Sequence, residues 1–292
     1  MFKYRIFGLN VKSDIKLDCY PAHFDVADVE VRTVNKLDKM IKSDYFYLHN
    51  DNEYYLSISN VASFKISNSN LIEVLPIGDN SHSEIELFLL GSVFGSLMIQ
   101  MGNFPLHGSV VEKNGVGIAL IGDSGAGKST LAGAFVRSGW RVVTDDVIRY
   151  LTEANVRVYP SYPSQKIWGK AAEYLSLNVT KSDSVINRID KYYIKSKDRF
   201  SNKNVNLKYV FELVPQNIDK VKIKSVRSSE ALSLMINNSY RYKFIEVAGK
   251  AKGHFKCISK ALPYLKFYRI YRPIDEFTMD EQIESIMKVI EV

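Results

Sequence analysis

A complete phosphate-binding loop is the feature that most constrains the fold of this chain. Residues Gly122 to Ser129 match the pattern G-x-x-x-x-G-K-[ST] at every fixed position. An apolar run, residues 117–121, precedes the loop as a buried strand would, and residues 130–137 follow with helical spacing before Gly139. The order strand, glycine-rich loop, helix predicts an α/β fold in which backbone N–H groups and a helix N-terminus hold an anion.

The loop also predicts which residues bind a nucleotide. Lys128 is expected to bridge the outer phosphates and Ser129 to ligate Mg²⁺, so ATP and Mg²⁺ are the expected cofactors. The predicted nucleotide-binding residues are Gly122, Asp123, Ser124, Gly125, Ala126, Gly127, Lys128, Ser129 and Thr130.

Two aspartates, Asp145 and Asp146, follow Lys128 by only 17 and 18 residues, directly after a short strand pattern at residues 140–144. A strand–helix–strand crossover is right-handed and makes its two strands parallel in one sheet. Both strands should therefore end at the edge where α/β proteins bind ligands, beside the γ-phosphate. There one carboxylate would hold Mg²⁺, directly or through water, and the other would accept a proton from an attacking hydroxyl. The complete loop upstream favours this interpretation over a solvated Asp pair in a turn.

A histidine is placed near the loop by a predicted hairpin. Asn114 and Gly115 between apolar runs indicate a two-residue turn. The resulting register pairs Gly108 with Ile121 and, continued by one residue, sets His107 opposite the first glycine of the loop. A histidine is commonly a structural hydrogen-bonding residue, but this position makes it a candidate partner for an acid or for the γ-phosphate.

Together, these three pieces resemble the catalytic domain of the bacterial HPr kinase/phosphorylase family. That family has a His-Gly pair before a G-D-S-G-x-G-K-S loop and an aspartate pair at the end of the next strand; here about 45 contiguous residues match. The resemblance implies that Asp145 is the base that activates a serine, that Asp146 has a supporting or metal-linked role, and that His107 positions other groups. The implied fold is a P-loop core of the HPr kinase and phosphoenolpyruvate-carboxykinase-like type, to which the pattern along the chain adds a small β-rich N-terminal unit.

The chain departs from the bifunctional members of that family after the aspartates. It lacks their L-E-I-R-G segment, whose glutamate helps to hold metal, and has residues 159–175 in its place. In this it resembles short stand-alone relatives, some found with lasso-peptide gene clusters, that phosphorylate the C-terminal serine of a precursor peptide. The resemblance implies a hydroxyl-bearing precursor peptide as partner, a weak phosphorolytic reaction, and a homo-oligomer as an option, since the family is often oligomeric.

Two other functions fit the same motifs. One is a kinase for a small-molecule hydroxyl, such as that of a free amino acid. The other is a nucleotide-binding regulatory module with little turnover. A regulatory or hydrolysing protein would need a water-positioning residue and switch-like loops, which no pattern in the sequence indicates.

The net charge and the sequence motifs restrict the classes of binding partner that we expect. The net charge is +7, with much of the excess between residues 181 and 227, yet no helix-turn-helix, RRM or zinc-finger signature occurs, so we expect no nucleic-acid partner. A solvated basic face is the default explanation. Two basic residues, Lys191 and Arg241, are candidates for contact with a phosphate or a substrate carboxylate.

The pattern along the chain predicts a β-rich domain over residues 1–80 and a P-loop kinase domain over residues 81–292. Leu87 to Met101 is the most apolar stretch and, at about 15 residues, is short for a membrane span, so residues 83–101 predict a buried helix. The two cysteines, Cys19 and Cys257, lack metal spacing and indicate no disulfide framework. These features predict a cytoplasmic protein without a membrane segment.

Overall fold

The computed structural model of the chain describes residues 1–39, 45–50, 52–78, 82–179, 190–195, 197–274 and 276–290, with the backbone alone at residues 45–49 and 191. The chain forms two compact units. The first unit contains Met1–Pro105 together with Lys243–His254, and the second contains Leu106–Tyr242 together with Phe255–Val292. The domain boundary at residue 80 stays a prediction.

The first unit is built on a sheet whose seven described strands follow the order β1-β2-β3-β7-β6-β5-β4. The β2–β3 and β3–β7 pairs are parallel and the remaining pairs are antiparallel. The alternation of buried and exposed residues along β2 and β7 is typical of strands with one face on a core. The strands are β1 (Phe2–Ile6), β2 (Leu9–Ser13), β3 (Val29–Thr33), β4 (Tyr45–Asn50), β5 (Glu53–Ile58), β6 (Ala62–Ser67) and β7 (Leu71–Pro76).

A continuous helical run completes this part of the first unit. It consists of α1 (His82–Phe88), a π-helical turn (Leu89–Val93) and α2 (Phe94–Gln100). By length and composition His82–Gln100 could cross a membrane, but 72% of it is buried inside the protein, as is common for a core helix. The helix predicted over residues 83–101 is therefore confirmed, with a π turn in its middle that no sequence pattern indicated.

The second unit contains a sheet of nine described strands. Its main path is β10-β8-β9-β16-β13-β12, with β11 paired to β8, β18 to β16 and β17 to β18. A separate two-stranded ribbon joins β14 and β15. The strands are β8 (Leu106–Lys113), β9 (Val116–Ile121), β10 (Arg141–Thr144), β11 (Val147–Ile148), β12 (Tyr150–Thr152), β13 (Val156–Val158), β14 (Ser164–Trp168), β15 (Lys191–Lys195), β16 (Val205–Gln216), β17 (Lys222–Ser225) and β18 (Lys266–Pro273).

Helices of the second unit lead into the loops of the site, whereas the helical residues within Lys243–His254 belong to the first unit. The strand–loop–helix core and the mixed α/β class are confirmed, with α3 beginning at the lysine of the phosphate-binding loop. The helices are α3 (Lys128–Arg137), α4 (Gly169–Tyr174), α5 (Ser228–Asn237), α6 (Tyr242–Val247), α7 (Ala251–Ala261) and α8 (Met279–Met287), with 3₁₀ turns at Lys197–Arg199 and Leu262–Tyr264.

The predicted hairpin and crossover both have the expected geometry. In β8 and β9, Gly108 pairs with Ile121 and Lys113 with Val116, and the turn residues Asn114 and Gly115 have φ of 53° and 80°. Positive φ at both positions is the requirement of the turn that Asn-Gly favours. Because β8 lies antiparallel between β9 and β10, those two strands are parallel to each other and end at the same edge.

The core of the second unit joins the central strands to α5 and the end of α7. The cluster is apolar throughout, and each fully buried aliphatic side chain contributes roughly 1.5–3 kcal/mol relative to an exposed one. This packing fixes the C-terminal end of α5, which matters for the site. Its members include Val110, Ala119, Val143, Val210, Leu234, Met235 and Ile258.

Candidate functional site

The phosphate-binding loop connects β9 to α3 through glycines in the left-handed region of φ. Gly122 has φ of 134°, and a Cβ there would lie only 2.6 Å from the carbonyl oxygen of Leu213 on the neighbouring strand. Gly127, with φ of 100°, stands directly before the helix. Because these positions reject side chains, the backbone N–H groups can turn towards an anion at the N-terminus of α3.

Lys128 lies over the loop and is largely buried. Its Nζ donates hydrogen bonds to the carbonyl oxygens of Gly122 at 2.8 Å and of Asp123 at 2.9 Å. The ammonium is thus held at the mouth of the loop, where it can exchange carbonyl partners for phosphate oxygens.

Asp145 is buried directly after β10 and is 3% exposed. Its Oδ1 accepts hydrogen bonds from the hydroxyls of Ser109 at 2.5 Å and Ser129 at 2.9 Å, and its Oδ2 accepts one from the backbone N–H of Lys166 at 3.0 Å. Burial raises the pKa of Asp145, and these hydrogen bonds oppose the rise. The carboxylate therefore fixes the hydroxyl of the loop serine, which is the predicted Mg²⁺ ligand.

Asp146 occupies a different environment although it is the next residue. Its backbone has φ of 76°, which turns its side chain away from that of Asp145. Its Oδ2 accepts a hydrogen bond from Nζ of Lys166 at 2.8 Å, and its Oδ1 lies 3.3 Å from Nδ1 of His107. Burial alone would raise the pKa of Asp146, but the Lys166 ammonium and His107 outweigh it and hold this pKa well below the usual range. The side chain remains 24% exposed.

The hydroxyl and carboxylate oxygens of Ser129 and Asp145 fit a hard cation such as Mg²⁺. Within the described residues there is no group of three or more His, Cys, Asp or Glu side chains that could hold a metal. This is compatible with Mg²⁺, which commonly takes one or two protein ligands and completes its shell with phosphates and waters. Asp146, the predicted metal-linked acid, already contacts Lys166 and His107.

Lys166 is the site residue that the sequence analysis missed. Its ammonium contacts Asp146, and Asp146 in turn raises the pKa of Lys166 against the opposing effect of burial. A signal was present: Ile167 and Gly169 have the spacing of the Ile and Gly in L-E-I-R-G, which sets Lys166 at the position of the glutamate in that motif.

Asn238, at the C-terminal end of α5, is a second residue that was missed. Its side-chain Oδ1 accepts a hydrogen bond from the N–H of Gly122 at 2.8 Å, and its backbone carbonyl accepts one from the N–H of His107, also at 2.8 Å. One residue thus ties the first glycine of the loop to the strand of the histidine.

Two further side chains support the loop. Nε2 of Gln165 donates to the carbonyl oxygen of Ser129 at 2.9 Å. Nε of the buried Arg272 donates to that of Ala126 at 2.9 Å. Both partners are backbone carbonyls near the start of α3, so these contacts fix the loop without using its N–H groups.

Of the two predicted basic contacts, Arg241 lies beside Tyr240, a neighbour of His107, and its contact with a phosphate or carboxylate stays a prediction. Arg241, with φ of 53°, has its guanidinium 5.7 Å from the ring centre of Tyr240, and that ring lies 6.2 Å from the ring of His107. Burial raises the pKa of Tyr240, so the phenol stays neutral. Lys191 begins β15, but its side chain lies outside the described residues.

The residues of the site lie where the chain is similar to known proteins. The family model described as the HPr Serine kinase C-terminal domain matches residues 101–167. This segment is HPr kinase-like. It holds His107, the whole loop, both aspartates and Lys166, whereas Asn238, Arg241 and Arg272 lie outside it.

Among similar proteins, HPr kinase/phosphorylase of Prosthecochloris aestuarii is 39% identical over 75 residues, which are 25% of this chain and 22% of that protein. Those of Clostridium beijerinckii and Treponema pallidum (strain Nichols) are 46% and 51% identical over 43 residues, 15% of this chain and 14% of each protein. The chain thus spans between 14% and 22% of the length of these relatives. A solved structure, the Hpr(Ser) kinase/phosphatase from Coxiella burnetii, aligns over 63% of this chain and 93% of that chain, with a TM-score of 0.34 and 14% identity.

Proposed function

We propose that this protein is an ATP- and Mg²⁺-dependent serine kinase. The observation that carries the proposal is the paired arrangement of acids beside a complete phosphate-binding loop. Asp145 holds the loop serine, Ser129, and the adjacent Asp146 lies between Lys166 and His107. An ordered acid pair next to the outer phosphates provides what transfer to a hydroxyl requires, which is positioning and charge neutralisation.

Each residue has a proposed role. Lys128 and the loop N–H groups bind the phosphates, and Ser129 would hold Mg²⁺, which supplies charge neutralisation at the phosphates when bound. The family resemblance gives Asp145 the role of base and Asp146 the metal-linked role. The geometry favours the opposite allocation, because Asp145 is 3% exposed and bonded to Ser129 whereas Asp146 is more accessible and lies beside His107. We therefore propose that Asp146 is the base and that Asp145 has the metal-linked role.

The proposed acceptor is a peptide, and more finely the C-terminal serine of a lasso-type precursor peptide. Supporting it is the segment after the aspartates, which has Lys166 where the bifunctional family has a metal-holding glutamate. The names of the similar proteins describe kinases and phosphorylases of HPr. For this chain we propose the kinase direction alone.

Transfer of labelled phosphate from ATP tests this proposal with three acceptors. They are a peptide ending in serine, the same peptide ending in alanine, and free serine. The proposal expects label on the first peptide and none on the second. Label on free serine at an equal or higher rate would replace the peptide by a small molecule, and no transfer to any serine-bearing acceptor would contradict the proposed kinase activity.

A further inference from the structure

The ribbon strand β14 contacts the site on both of its faces. Gln165 and Ile167, on one face, are buried, and Gln165 reaches the backbone of Ser129. Lys166, between them, points the other way as strand geometry requires, and its ammonium meets Asp146. The backbone N–H of Lys166 also donates to Asp145. The base of this side chain is therefore held against the catalytic edge before any ligand arrives.

The ammonium of Lys166 has capacity for a further anion. A lysine ammonium carries three N–H donors. Among the residues that the structure describes, Asp146 Oδ2 is the acceptor within hydrogen-bond distance of Nζ. The other two donors have no hydrogen-bond acceptor among the described residues, and they lie next to the carboxylate that we assign to the acceptor hydroxyl.

A second side-chain cation near the acids would add to the charge neutralisation that Lys128 and bound Mg²⁺ provide at the phosphates. A phosphoryl group that leaves ATP here would approach the carboxylates of Asp145 and Asp146. Lys128 provides one positive charge at the loop, but its described contacts are with the loop carbonyls on the nucleotide side. Charge that develops on the transferred group is stabilised most by a donor that is already in place.

We propose that Lys166 is a catalytic residue that contacts the transferred phosphoryl group, with its ammonium bridging that group and Asp146. This inference rests on the proposed kinase function. It differs from a purely structural role, in which Lys166 serves only as the counter-ion of Asp146.

Binding of transition-state mimics tests the proposal without an acceptor. The affinities for MgADP alone and for MgADP with aluminium fluoride, which mimics a phosphoryl group in transfer, are measured by calorimetry. In the unaltered protein we expect tighter binding with aluminium fluoride. Lys166→Met should weaken the aluminium fluoride complex about 100-fold, the effect of removing one such donor, and leave MgADP affinity within about twofold. Lys166→Arg should recover part of the loss, and Lys170→Met, an exposed lysine of α4, serves as the matched control.

A double variant separates the two roles of Lys166. Lys166→Met alone leaves Asp146 without its ammonium partner and lowers the melting temperature under either role. Adding Asp146→Asn removes that charge and restores the melting temperature. If aluminium fluoride binding stays weak in the double variant but not in Asp146→Asn alone, the proposal is supported; if it recovers with the melting temperature, Lys166 is a counter-ion only and the proposal is overturned. An unaltered protein that binds MgADP equally with and without aluminium fluoride would overturn this inference, whereas the proposed kinase function is tested separately by phosphate transfer to a serine-bearing acceptor.

Discussion

Each unit of the protein contains a largely buried lysine held by carboxylate, and the two clusters differ in charge balance. In the first unit, Nζ of Lys65 contacts Asp38 at 2.7 Å and Glu53 at 2.8 Å. In the second, Nζ of Lys166 contacts Asp146 at 2.8 Å, and that carboxylate also lies beside His107. Two acids surround the first lysine, whereas one acid is shared between two basic groups in the second.

The difference in charge balance shows how lysine and carboxylate side chains can serve stability in one cluster and phosphate chemistry in another. The Lys65 cluster carries an excess negative charge and also contains Tyr55, whose phenol donates to Asp38 and whose pKa is raised to about 12 by burial and by that carboxylate. Such a cluster repels a phosphate. The Lys166 cluster has at least as much positive as negative charge and can accept one. Variants of both lysines and of their partners test whether one cluster is structural and the other catalytic.

The largest expected effect is on Lys128, the lysine that contacts the phosphates in the proposed function. Lys128→Ala should reduce phosphoryl transfer by more than about 10³-fold and weaken nucleotide binding, because the loop loses its side-chain cation. Lys65→Met should leave transfer per folded molecule unchanged. Assays with labelled ATP measure the transfer rates of both variants. Equal rates in the two would contradict the distinction between a structural and a catalytic lysine.

The two aspartates should separate in a magnesium titration. On the allocation favoured by the geometry, Asp145→Asn raises the Mg²⁺ concentration needed for half-maximal transfer, because Asp145 orients Ser129. Asp146→Asn should lower the transfer rate by about 10²–10⁴-fold at any Mg²⁺ concentration. The resemblance to the HPr kinase/phosphorylase family predicts the reverse assignment. Full activity in both variants would contradict either mechanism.

His107→Ala should slow transfer by about tenfold, less than loss of Asp146, because the histidine acts on the reaction through that carboxylate. Its ring contacts both the backbone oxygen and the side chain of Asp146. His107→Gln, which keeps a hydrogen-bond donor, should retain more activity than His107→Ala. If His107→Ala and His107→Gln transfer phosphate equally slowly, the ring does more than position Asp146.

The smallest effect concerns the stability of the Lys65 cluster. Lys65→Met should lower the free energy of unfolding by about 1 kcal/mol at pH 7, because two carboxylates lose their partner and one of them is half exposed. The hydrogen bond from Lys65 lowers the pKa of Asp38, so this contribution is present above the unfolded pKa, about 3.9, and is lost as the pH falls through the folded value. Urea unfolding of both proteins should therefore show a smaller difference at pH 3 than at pH 7, and a difference that grows on acidification would contradict this origin.

The sequence predicted those parts of the site that are encoded locally. The loop glycines, the Asn-Gly turn and the acids after β10 each depend on residues within a few positions of one another, so His107 and the aspartates could be placed by register and crossover rules. The residues that support the loop from distant parts of the chain could not be predicted in this way. Asn238 is 116 residues from Gly122, and Arg272 is 146 residues from Ala126, so only the packing of α5 and β18 brings them together.

Lys166 was missed for a different reason. Lys166 lies only 20 residues after Asp146, but the family motif has a glutamate at that position, so the resemblance predicted a missing metal ligand there and not a functional lysine. The strands around it, β12 to β15, are short, and Pro160 and Pro163 interrupt the pattern before β14. A lysine at the position of the motif's glutamate is therefore a signal of a functional residue, even though the motif itself is absent.

The discontinuity of the first unit has a consequence for synthesis on the ribosome. Phe244 packs edge-on against Tyr54 at 5.1 Å between ring centres, and His254 lies 5.2 Å from Phe104. Phe244 and His254 are synthesised more than a hundred residues after Tyr54 and Phe104, respectively. The nascent N-terminal sheet therefore lacks these contacts while Leu106–Tyr242 of the second unit is translated, and the first unit is completed after the phosphate-binding loop and both aspartates have been synthesised.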